Sequence, residues 1–402
     1  MNRRFLRSLT LLAAPLCGGL AVADEPAAPA PPKLTPEAQA AADALKKSLP
    51  GDSEARRMLD DILKGAMLGP TDGWFALSKA HTRYPWVTLK ERFDKNADGE
   101  ITREETALGE LPFARLDKNG DGVLTEPDLD WSEVTMSRSP ANFVFGRSDQ
   151  DGNGKVTAEE FAELFRRLGG EKDGFVSLDE IREQLQPPAS SRSEAPPADM
   201  PSASTLVLGL QRQEIGSQQP GPDLNAAAPD FTLQTLTGET VTLSKEIGEK
   251  PVVLIFGNFT CGPFRSQAGN IEKFYNRYRD QAKIFLVYVR EAHPQDGWWM
   301  TSNRRIGIDP RQPQNNTERR EIAATCQKHL DLDVPFLVDT TDDVVGATYS
   351  GMPNRLYVID TDGRIAFKNA RGPFGFKLRE AEQALILTIA DAAKDRKVGQ
   401  AP

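Results

Sequence analysis

The spacing of apolar positions changes several times along the chain, and each change predicts a different kind of element. Thr35 and Pro36 open a helical pattern, with Thr35 as the N-cap and Pro36 in the first helical position. A second helix is predicted over 53–66. Over 221–395, short apolar runs alternate with helical patterns, which is typical of an α/β domain.

Two apolar runs in this C-terminal part have the length and β-branched composition of buried strands. They cover 251–256 and 284–289, and a helix is predicted between them, ending at about Arg279. A hairpin is expected earlier, over 236–243. Cys261 lies at the turn between the first buried strand and the helix. The pattern therefore predicts a βαβ unit with a cysteine at its strand-to-helix turn.

Two stretches have a composition that cannot bury enough apolar surface to fold. Residues 24–35 are rich in Ala and Pro, and we expect a flexible tether there. Residues 187–204 mix Ser, Ala and Pro, and the disordered linker predicted from them extends to about residue 220.

The first 23 residues have the organisation of a secretory signal peptide. After three arginines comes an apolar run from Leu9 to Leu20, too short to span a bilayer, and then Ala-Val-Ala at 21–23 as a cleavage site. Leu16 stands where a lipoprotein signal requires a small residue, which disfavours a lipid anchor on Cys17. We therefore expect an exported protein, periplasmic or secreted, without a transmembrane segment.

Length, charge and cysteine content narrow the classes of function. The 402 residues are too many for one compact core. The net charge of -9 argues against nucleic acid as a partner, because such binding depends on clustered Lys and Arg. Cleavage would leave two cysteines, Cys261 and Cys326, which are too few for a disulfide scaffold.

Three segments match the EF-hand calcium loop, which has oxygen ligands at positions 1, 3, 5, 7, 9 and 12 and glycine at position 6. Loop one covers 94–105, loop two 117–128 and loop three 149–160. The predicted Ca²⁺ ligands, with the backbone carbonyl serving at position 7, are Asp94, Asn96, Asp98, Glu100, Thr102 and Glu105; Asp117, Asn119, Asp121, Val123, Thr125 and Asp128; and Asp149, Asp151, Asn153, Lys155, Thr157 and Glu160.

Loop two and a fourth copy depart from this pattern. Loop two ends in Asp128 rather than Glu, and the shorter carboxylate predicts weaker calcium binding or better tolerance of magnesium. The fourth copy, 169–180, keeps Asp173 and Glu180 but has no carboxylate at position 1, so we expect it to bind poorly and to pair with loop three. The array then forms two pairs, with Ile101 at position 8 in the β contact of the first pair.

Cys261 is the candidate nucleophile. A thiol at a helix N-terminus experiences partial positive charge and unpaired N–H donors, so its pKa is expected to fall. The turn resembles the thioredoxin Cys-Gly-Pro-Cys sequence, but Phe264 stands in place of the second cysteine, which excludes a dithiol exchange within the turn. Cys326 is then either the resolving thiol or a small apolar residue buried on a helix.

Glu291 and His293 follow the second buried strand. They are two residues apart, so their side chains are expected on the same side, and the carboxyl ends of parallel strands line one crevice. We therefore expect both side chains near Cys261, where they could hold a thiolate, move a proton or orient a substrate.

Several strings in the region 225–390 resemble the iodothyronine deiodinases. They are 253–264, then 287–298 with its Glu-Ala-His-Pro-Gln-Asp-Gly-Trp sequence, and 355–376. In two positions the chain departs from this family. Phe259 replaces a cysteine two residues before the family's selenocysteine, and Gly262 replaces a proline directly after it.

This resemblance implies a thioredoxin fold and the reductive removal of iodine from thyroid-hormone rings. It implies that Cys261 takes the place of the selenocysteine and that Glu291 and His293 are needed for activity. It also implies a cis-proline at Pro353, facing the active cysteine and shaping the site.

The predicted fold class is multidomain, with an all-α EF-hand domain followed by an α/β thioredoxin-like domain. The division along the chain is a signal peptide at 1–23, a tether at 24–35, a helical segment at 36–90, the EF-hand domain at 91–186, a disordered linker at 187–220 and the deiodinase-related domain at 221–395.

Three functions fit these observations. The first is an exported calcium-binding thiol redox enzyme, which performs dehalogenation or a related reduction at Cys261 and needs a small-molecule substrate and a thiol or protein reductant. The second is a calcium-binding interaction or scaffold protein with a catalytically silent thioredoxin-like domain. The third is a thiol peroxidase.

Overall fold

The computed structural model describes residues 31–67, 69, 72–73, 75, 78–130, 140–171, 174–185 and 199–399. The predicted signal peptide, most of the predicted tether, Asp173 and residues 187–198 lie outside the described residues. Within the described ranges, no helix combines the length and the apolar character that crossing a membrane requires.

A mixed sheet organises the C-terminal part of the chain. The strands of the protein are β1 (His81–Thr82), β2 (Ile101–Thr102), β3 (Val123–Leu124), β4 (Thr232–Thr235), β5 (Thr240–Thr242), β6 (Val252–Gly257), β7 (Lys283–Tyr288), β8 (Phe336–Val338), β9 (Arg355–Ile359) and β10 (Ile365–Lys368). Eight of them form the large sheet in the order β1-β10-β9-β6-β7-β8-β4-β5. β6 and β7 pair in parallel, as do β7 and β8, and the other neighbours are antiparallel.

β6 lies in the middle of this sheet, and all six of its residues are buried. A strand with neighbours on both sides and covered faces requires an apolar side chain at nearly every position, which explains its continuous Val-Val-Leu-Ile-Phe sequence. The βαβ unit predicted from the two apolar runs is present, because β6 and β7 are joined through helices and pair in parallel.

The N-terminal helices begin where the sequence predicts. α1 (Pro36–Ser48) follows Thr35, whose side chain accepts a hydrogen bond from the N–H of Ala38. α2 (Glu54–Leu63) is capped in the same way by Ser53. These side-chain caps satisfy backbone donors that a helix start otherwise leaves unpaired.

The EF-hand array consists of short helices on either side of each loop. They are α3 (Trp86–Phe93), α4 (Arg103–Thr106), α5 (Glu110–Leu116), α6 (Glu126–Leu129), α7 (Pro140–Ser148), α8 (Ala158–Arg167) and α9 (Leu178–Leu185). β2 pairs with β3 so that Ile101 lies opposite Leu124, which is the contact predicted between loops one and two. No β-bridge joins the described residues of loops three and four, and their pairing stays a prediction.

α10 (Ala203–Gln211) lies where the composition predicts a disordered linker, and over these residues the prediction is wrong. Leu206, Val207 and Leu210 are buried in a second hydrophobic core with side chains of α1 and α2. Each such side chain stabilises the fold by about 1.5–3 kcal/mol on burial, enough to order a short helix. The apolar run is short and follows a Ser/Ala/Pro-rich stretch, which obscured it in the sequence.

The remaining helices pack on the large sheet. They are α11 (Leu243–Glu246), α12 (Gly262–Arg265), α13 (Ala268–Tyr278), α14 (Thr301–Arg305), α15 (Asn316–Leu330), α16 (Val344–Thr348) and α17 (Leu378–Gly399). The single helix predicted after Cys261 is divided in two by a turn at Ser266 and Gln267, although both residues keep right-handed helical backbone angles.

The EF-hand array and the sheet share one hydrophobic core. Phe113, Leu116 and Leu124 belong to the same buried cluster as the residues of β6 and β9. Gln383 of α17 donates hydrogen bonds to the backbone oxygens of Leu116 at 3.1 Å and Asp128 at 2.8 Å. The predicted separation of the EF-hand array from the α/β domain by a disordered linker is therefore wrong, because α10 is ordered and the two regions are packed together.

Candidate active site

Cys261 lies in the turn that follows β6, as the N-cap residue of α12. Only 1% of its surface is exposed. The Met352–Pro353 peptide bond, just before β9, is cis, and Pro353 lines the same cavity as Cys261. The Nδ2 of Asn354, the next residue, lies 3.5 Å from the Cys261 sulfur and donates towards it.

Asn258 fixes the backbone of the turn that carries Cys261. Its side-chain oxygen accepts from the N–H of Cys261 at 3.0 Å and from the N–H of Ala292 at 3.2 Å. Its Nδ2 donates to the backbone oxygen of Pro353 at 3.0 Å. One fully buried amide therefore joins the turn after β6, the chain after β7 and the segment before β9.

Glu291 is fully buried, and its carboxylate binds the turn that carries Cys261. Its Oε2 accepts from the Thr260 N–H at 2.9 Å and the Thr260 hydroxyl at 2.7 Å, and its Oε1 accepts from the Tyr288 hydroxyl. Burial raises the pKa of Glu291, while the hydrogen bonds from Tyr288 and Thr260 lower it in part. The expectation that Glu291 faces the crevice is wrong, because both of its oxygens are engaged by these groups and the residue does not line the cavity.

His293 does line the cavity, as the sequence predicts. Its Nδ1 lies 3.1 Å from the backbone oxygen of Trp298, which can only accept, so Nδ1 carries the proton and Nε2 is left as the acceptor. Burial lowers the pKa of His293 to about 4. The ring of Trp298 packs edge-on at 4.5 Å, and the His293 N–H donates to the Thr260 hydroxyl at 3.0 Å. His293 is therefore a neutral imidazole held in a single tautomer.

The pKa of Cys261 moves in the direction opposite to the one expected. Burial raises it to about 11, although the Phe264 N–H, the Arg265 guanidinium and the Asn354 amide each lower it in part. Because α12 has only four residues, its N-terminus offers little to oppose the loss of solvation. In this closed arrangement the thiol is protonated, and a thiolate must form together with substrate or water.

A cavity of about 440 Å³ opens above Cys261. Its lining is predominantly apolar and comes from distant parts of the chain. The lining side chains include Phe75, Ile215, Pro263, Ala292, Trp298, Met300, Ile306 and Phe374, with Cys261, His293, Arg265, Asn303, Asp149 and Glu214 as polar groups. A concave apolar site with a few convergent polar groups is typical of a pocket for a small molecule.

Cys326 is a free, fully buried thiol on α15, and burial raises its pKa well above the usual value. It does not line the cavity above Cys261. Its role as a resolving thiol stays a prediction, and it would require a movement that exposes both sulfurs.

Loop three brings together oxygen atoms of the kind that calcium prefers as ligands. In loop three, oxygens of Asp149, Asp151 and Glu160 lie within 4.8 Å of one another. An oxygen of Asp149 and one of Asp94 are buried without a hydrogen-bond partner. Burial and the neighbouring carboxylates of Asp151 and Glu160 raise the pKa of Asp149 to about 6. Carboxylates crowded in this way are suited to a hard cation with oxygen ligands.

The position 12 carboxylates of these loops already face inwards. Glu105, Asp128 and Glu160 each accept hydrogen bonds from the N–H and the hydroxyl of the threonine three residues earlier. In loop four, Glu180 likewise accepts hydrogen bonds from the N–H and the hydroxyl of Ser177. The shorter side chain of Asp128 is also the most buried of the four, and the weaker calcium binding expected of loop two stays a prediction.

Several residues of the site were not predicted from the sequence. Thr260, Tyr288 and Asn258 act through hydrogen bonds that only the folded chain reveals, although two of them flank the Cys261 turn. Arg265 is buried, and its guanidinium donates to the backbone oxygen of Phe259 at 2.6 Å and to Asn303 at 2.7 Å. Arg265 could have been identified from the sequence, because it follows Cys261 by four residues and therefore lies about one helical turn further along the chain.

Comparison with known proteins agrees with this arrangement. Residues 207–387 match the family model described as iodothyronine deiodinase. Residues 105–166 match an EF-hand domain pair, and residues 91–107 match an EF hand. The chain therefore has EF-hand sequences followed by a region that is similar to the iodothyronine deiodinase family.

The similar proteins are vertebrate deiodinases. Type I iodothyronine deiodinase of Xenopus laevis is 30% identical over 155 residues, which cover 38% of this chain and 59% of that protein. Thyroxine 5-deiodinase of Gallus gallus is 34% identical over 133 residues, covering 33% of this chain and 50% of that protein. The chain thus spans little more than half the length of these curated relatives. Among solved structures, a thioredoxin-like protein in the oxidized form is 24% identical, with a TM-score of 0.31, covering 42% of this chain and 99% of that chain.

Proposed function

We propose that this chain, whose residues 207–387 match the iodothyronine deiodinase family model, is an exported thiol oxidoreductase that reduces a small aromatic substrate at Cys261. One observation carries the proposal. The Cys261 thiol and a neutral His293 of fixed tautomer line the same predominantly apolar cavity of about 440 Å³. Aromatic and apolar walls such as Trp298 and Phe374 favour a ring-containing substrate, and the named relatives are deiodinases.

The proposed reaction is a reductive dehalogenation. The Cys261 proton passes to a base, for which His293 Nε2 is the candidate, and the sulfur bonds to the halogen while the carbon–halogen bond breaks. The electron pair of that bond stays on the ring carbon, which takes up a proton. An external dithiol then reduces the sulfenyl halide, which releases halide and a proton, returns Cys261 as a thiol and leaves the dithiol as a disulfide.

Glu291 and Thr260 act on this reaction indirectly. Their hydrogen bonds hold the backbone next to Cys261 and, through the Thr260 hydroxyl, the backbone of His293. Fixing the thiol and the imidazole relative to each other lowers the entropic part of the barrier. Glu291 is therefore a positioning residue, and Cys261 and His293 are the groups that would touch the substrate.

A panel assay tests the function. Iodinated and brominated phenols, and separately a peroxide, are supplied with a dithiol reductant to the wild type, Cys261→Ser and Cys326→Ser. We expect halide release that Cys261→Ser abolishes and Cys326→Ser leaves largely intact. Halide release that persists in Cys261→Ser would exclude the proposed nucleophile, and turnover of peroxide alone would identify a thiol peroxidase.

The EF-hand loops are proposed to hold calcium, which would compensate the charge of their carboxylates. The unpartnered Asp149 and Asp94 oxygens and the convergence of Asp149, Asp151 and Glu160 support this assignment. Calorimetric titration of the chelator-stripped chain should reveal two or three sites, with affinities in the ~10⁻⁴–10⁻³ M range if they resemble other extracellular modules. A titration without any binding heat or conformational change would contradict the assignment.

Export is part of the proposal, based on the N-terminal pattern of charged and apolar residues. Expression of the full chain in a bacterial host, followed by fractionation and intact mass measurement, tests it. We expect a product in the exported fraction that begins at Asp24. An uncleaved cytoplasmic product would overturn this part of the proposal.

A second function is favoured by two features of the structure. Cys261 is buried with a raised pKa, while Phe161, Phe175 and Leu178 of the second EF-hand pair are exposed. A calcium-dependent interaction protein with a silent redox site would show both features. It predicts partner binding that depends on calcium and is unchanged in Cys261→Ser, together with no turnover of any compound in the panel.

A further inference from the structure

Loop three lies against the turn of Cys261, whereas loops one and two do not. The comparison is clearest at position 6 of each loop, which is a glycine. A Cβ atom at Gly154 of loop three would lie 1.8 Å from the backbone oxygen of Arg265. The same atom at Gly122 of loop two would have nothing within 4 Å, and at Gly99 of loop one only the Lys90 ammonium at 3.8 Å. Only loop three, among the three complete loops, uses this glycine for close backbone contact.

Polar contacts hold loop three in this place. The backbone oxygen of Gly154 accepts from the N–H of Gly269, the second residue of α13, at 3.1 Å. The backbone oxygen of Asp151 accepts from His329 Nε2 at 3.1 Å. The Lys155 ammonium lies 2.7 Å from the Asp331 carboxylate. These contacts involve loop positions 3, 6 and 7. Positions 3 and 7 are also predicted to supply calcium ligands, and position 6 is the loop glycine.

Two of the residues that receive loop three, Arg265 and His329, contact the turn that carries Cys261. Arg265 donates to the backbone oxygen of Phe259, two residues before Cys261. The ring of His329 packs edge-on against Phe259, with ring centres 5.3 Å apart. Residues Asp149 and Gly152 of loop three themselves line the cavity above the thiol. The side chain of Ile306, also in the cavity wall, fills the space beside Gly152, where a Cβ atom would lie 2.3 Å from its Cδ1.

We propose that calcium in loop three closes one wall of the Cys261 pocket, while calcium in loops one and two leaves the pocket unchanged. Without a cation, the carboxylates of Asp149, Asp151 and Glu160 crowd one another within 4.8 Å, and this repulsion favours a more open loop. An open loop three gives up its contacts with α13, His329 and Ile306. The inference rests on the proposed function in one respect, that the pocket above Cys261 is the site of reaction.

Hydrogen–deuterium exchange tests the proposal without any turnover. Exchange of peptides covering 262–272 is followed with calcium and with a chelator in the wild type, Glu160→Gln and Glu105→Gln. The two variants are matched, because each changes the position 12 carboxylate to its amide, in loop three and loop one respectively. We expect calcium to slow exchange of the Gly269 amide at least tenfold in the wild type and in Glu105→Gln, with no slowing in Glu160→Gln. Equal exchange with and without calcium in the wild type, or slowing that persists in Glu160→Gln, would overturn the proposal.

Thermodynamic reciprocity supplies the second test. If calcium stabilises the docked loop, then the docking contacts must strengthen calcium binding by the same factor. His329→Ala removes the contacts with Asp151 and Phe259, and we expect the calcium dissociation constant of loop three to rise about three- to tenfold, measured in the Glu105→Gln background. Lys328→Ala, an exposed change on the same helix, is the control with unchanged affinity. An unchanged affinity in His329→Ala would contradict the coupling.

Both measurements are also made on Cys261→Ser, so the inference and the proposed function fail separately. Calcium-dependent exchange that persists in Cys261→Ser, with no turnover by the wild type, supports the docking and removes the redox function. The opposite outcome is turnover that depends on Cys261, together with amide exchange that Glu160→Gln does not alter and a calcium affinity that His329→Ala does not alter. This outcome would retain the redox function and refute the proposal that calcium in loop three closes the pocket wall.

Discussion

At the turn after β6, several groups act on the Cys261 thiol in opposite directions. Burial raises its pKa, and the positive charge of Arg265 and the Asn354 amide lower it. Arg265 can exert this effect only because its guanidinium is fixed by the Phe259 backbone oxygen and by Asn303. The charge is thus held near the sulfur without a direct ion pair, and it favours the thiolate once substrate or water enters.

Replacing Arg265 with Met is expected to slow alkylation of Cys261 by iodoacetamide about tenfold at pH 8. Removing the positive charge raises the thiol pKa, and each unit of pKa lowers the thiolate fraction tenfold below that pKa. The rate is measured by mass spectrometry of the Cys261 peptide across a series of pH values. Arg265→Lys retains the charge and should recover part of the rate. Identical profiles for the wild type and Arg265→Met would show that this charge does not act on the thiol.

His293 predicts a pH dependence of stability. Its pKa in the folded protein, about 4, lies below the usual 6.5, so between these values the unfolded chain binds more protons than the folded one. The stability contributed by the neutral ring is complete above pH 6.5 and is lost as the pH falls towards 4. Relative to His293→Asn, the wild type should lose about 1–2 kcal/mol of unfolding free energy between pH 7 and pH 5, measured in urea. Parallel pH curves for the two proteins would contradict the assignment.

Sequence patterns located the candidate reacting groups more reliably than they described their environment. Cys261 at a strand end and His293 after the next parallel strand follow from local spacing, and both line the cavity. The pKa of Cys261 is raised by burial, and the cavity around this thiol is lined by side chains from remote segments, such as Phe75 and Phe374. No local pattern records that burial, so the predicted direction of the Cys261 pKa was wrong.

At the scale of elements, α10 joins the N-terminal helices to the site. It packs with α1 and α2 in the second hydrophobic core, against which Trp298 and Phe374 of the cavity wall also pack. The N-terminal helices are therefore part of the support of the cavity and not a separate segment.

Shortening a buried side chain of α10 tests this packing. Leu210→Ala is expected to lower the free energy of unfolding by about 2–5 kcal/mol, because Leu210 is fully buried in the second core. Gln211→Ala, its exposed neighbour on the same helix, should change that free energy by less than about 0.5 kcal/mol. Both values come from urea unfolding followed by circular dichroism. If the Leu210 variant is as stable as the Gln211 variant, α10 does not pack as described.

The elements that the sequence predicts well are those specified by short-range rules. Helix caps at Thr35 and Ser53, the EF-hand loops and the parallel strands β6 and β7 all follow from spacing within a few residues. The order of the eight strands, the pairing of β1 with β10 and the docking of loop three do not. These features join residues far apart in the sequence, and no local periodicity distinguishes one such partner from another.

At the scale of the whole molecule, the EF-hand array and the sheet contribute side chains to one hydrophobic core, and we expect them to unfold together. Phe113 and Leu124 share a buried cluster with β6, and Gln383 ties α17 to the backbone of loop two and α5. A ligand that binds only the folded array should consequently stabilise the thioredoxin-like domain as well.

Removing calcium is therefore expected to lower the melting temperature of a single cooperative transition. Each site filled at a hundredfold excess over its dissociation constant adds about 2.7 kcal/mol to the folded state, and the shared core distributes that gain over both regions. Scanning calorimetry with calcium and with chelator measures the shift. Gln383→Ala removes the donor to both backbone oxygens and should separate a calcium-sensitive transition from a calcium-insensitive one, whereas the exposed control Gln281→Ala should not. Two transitions in the wild type, of which only one responds to calcium, would show that the array folds independently of the sheet.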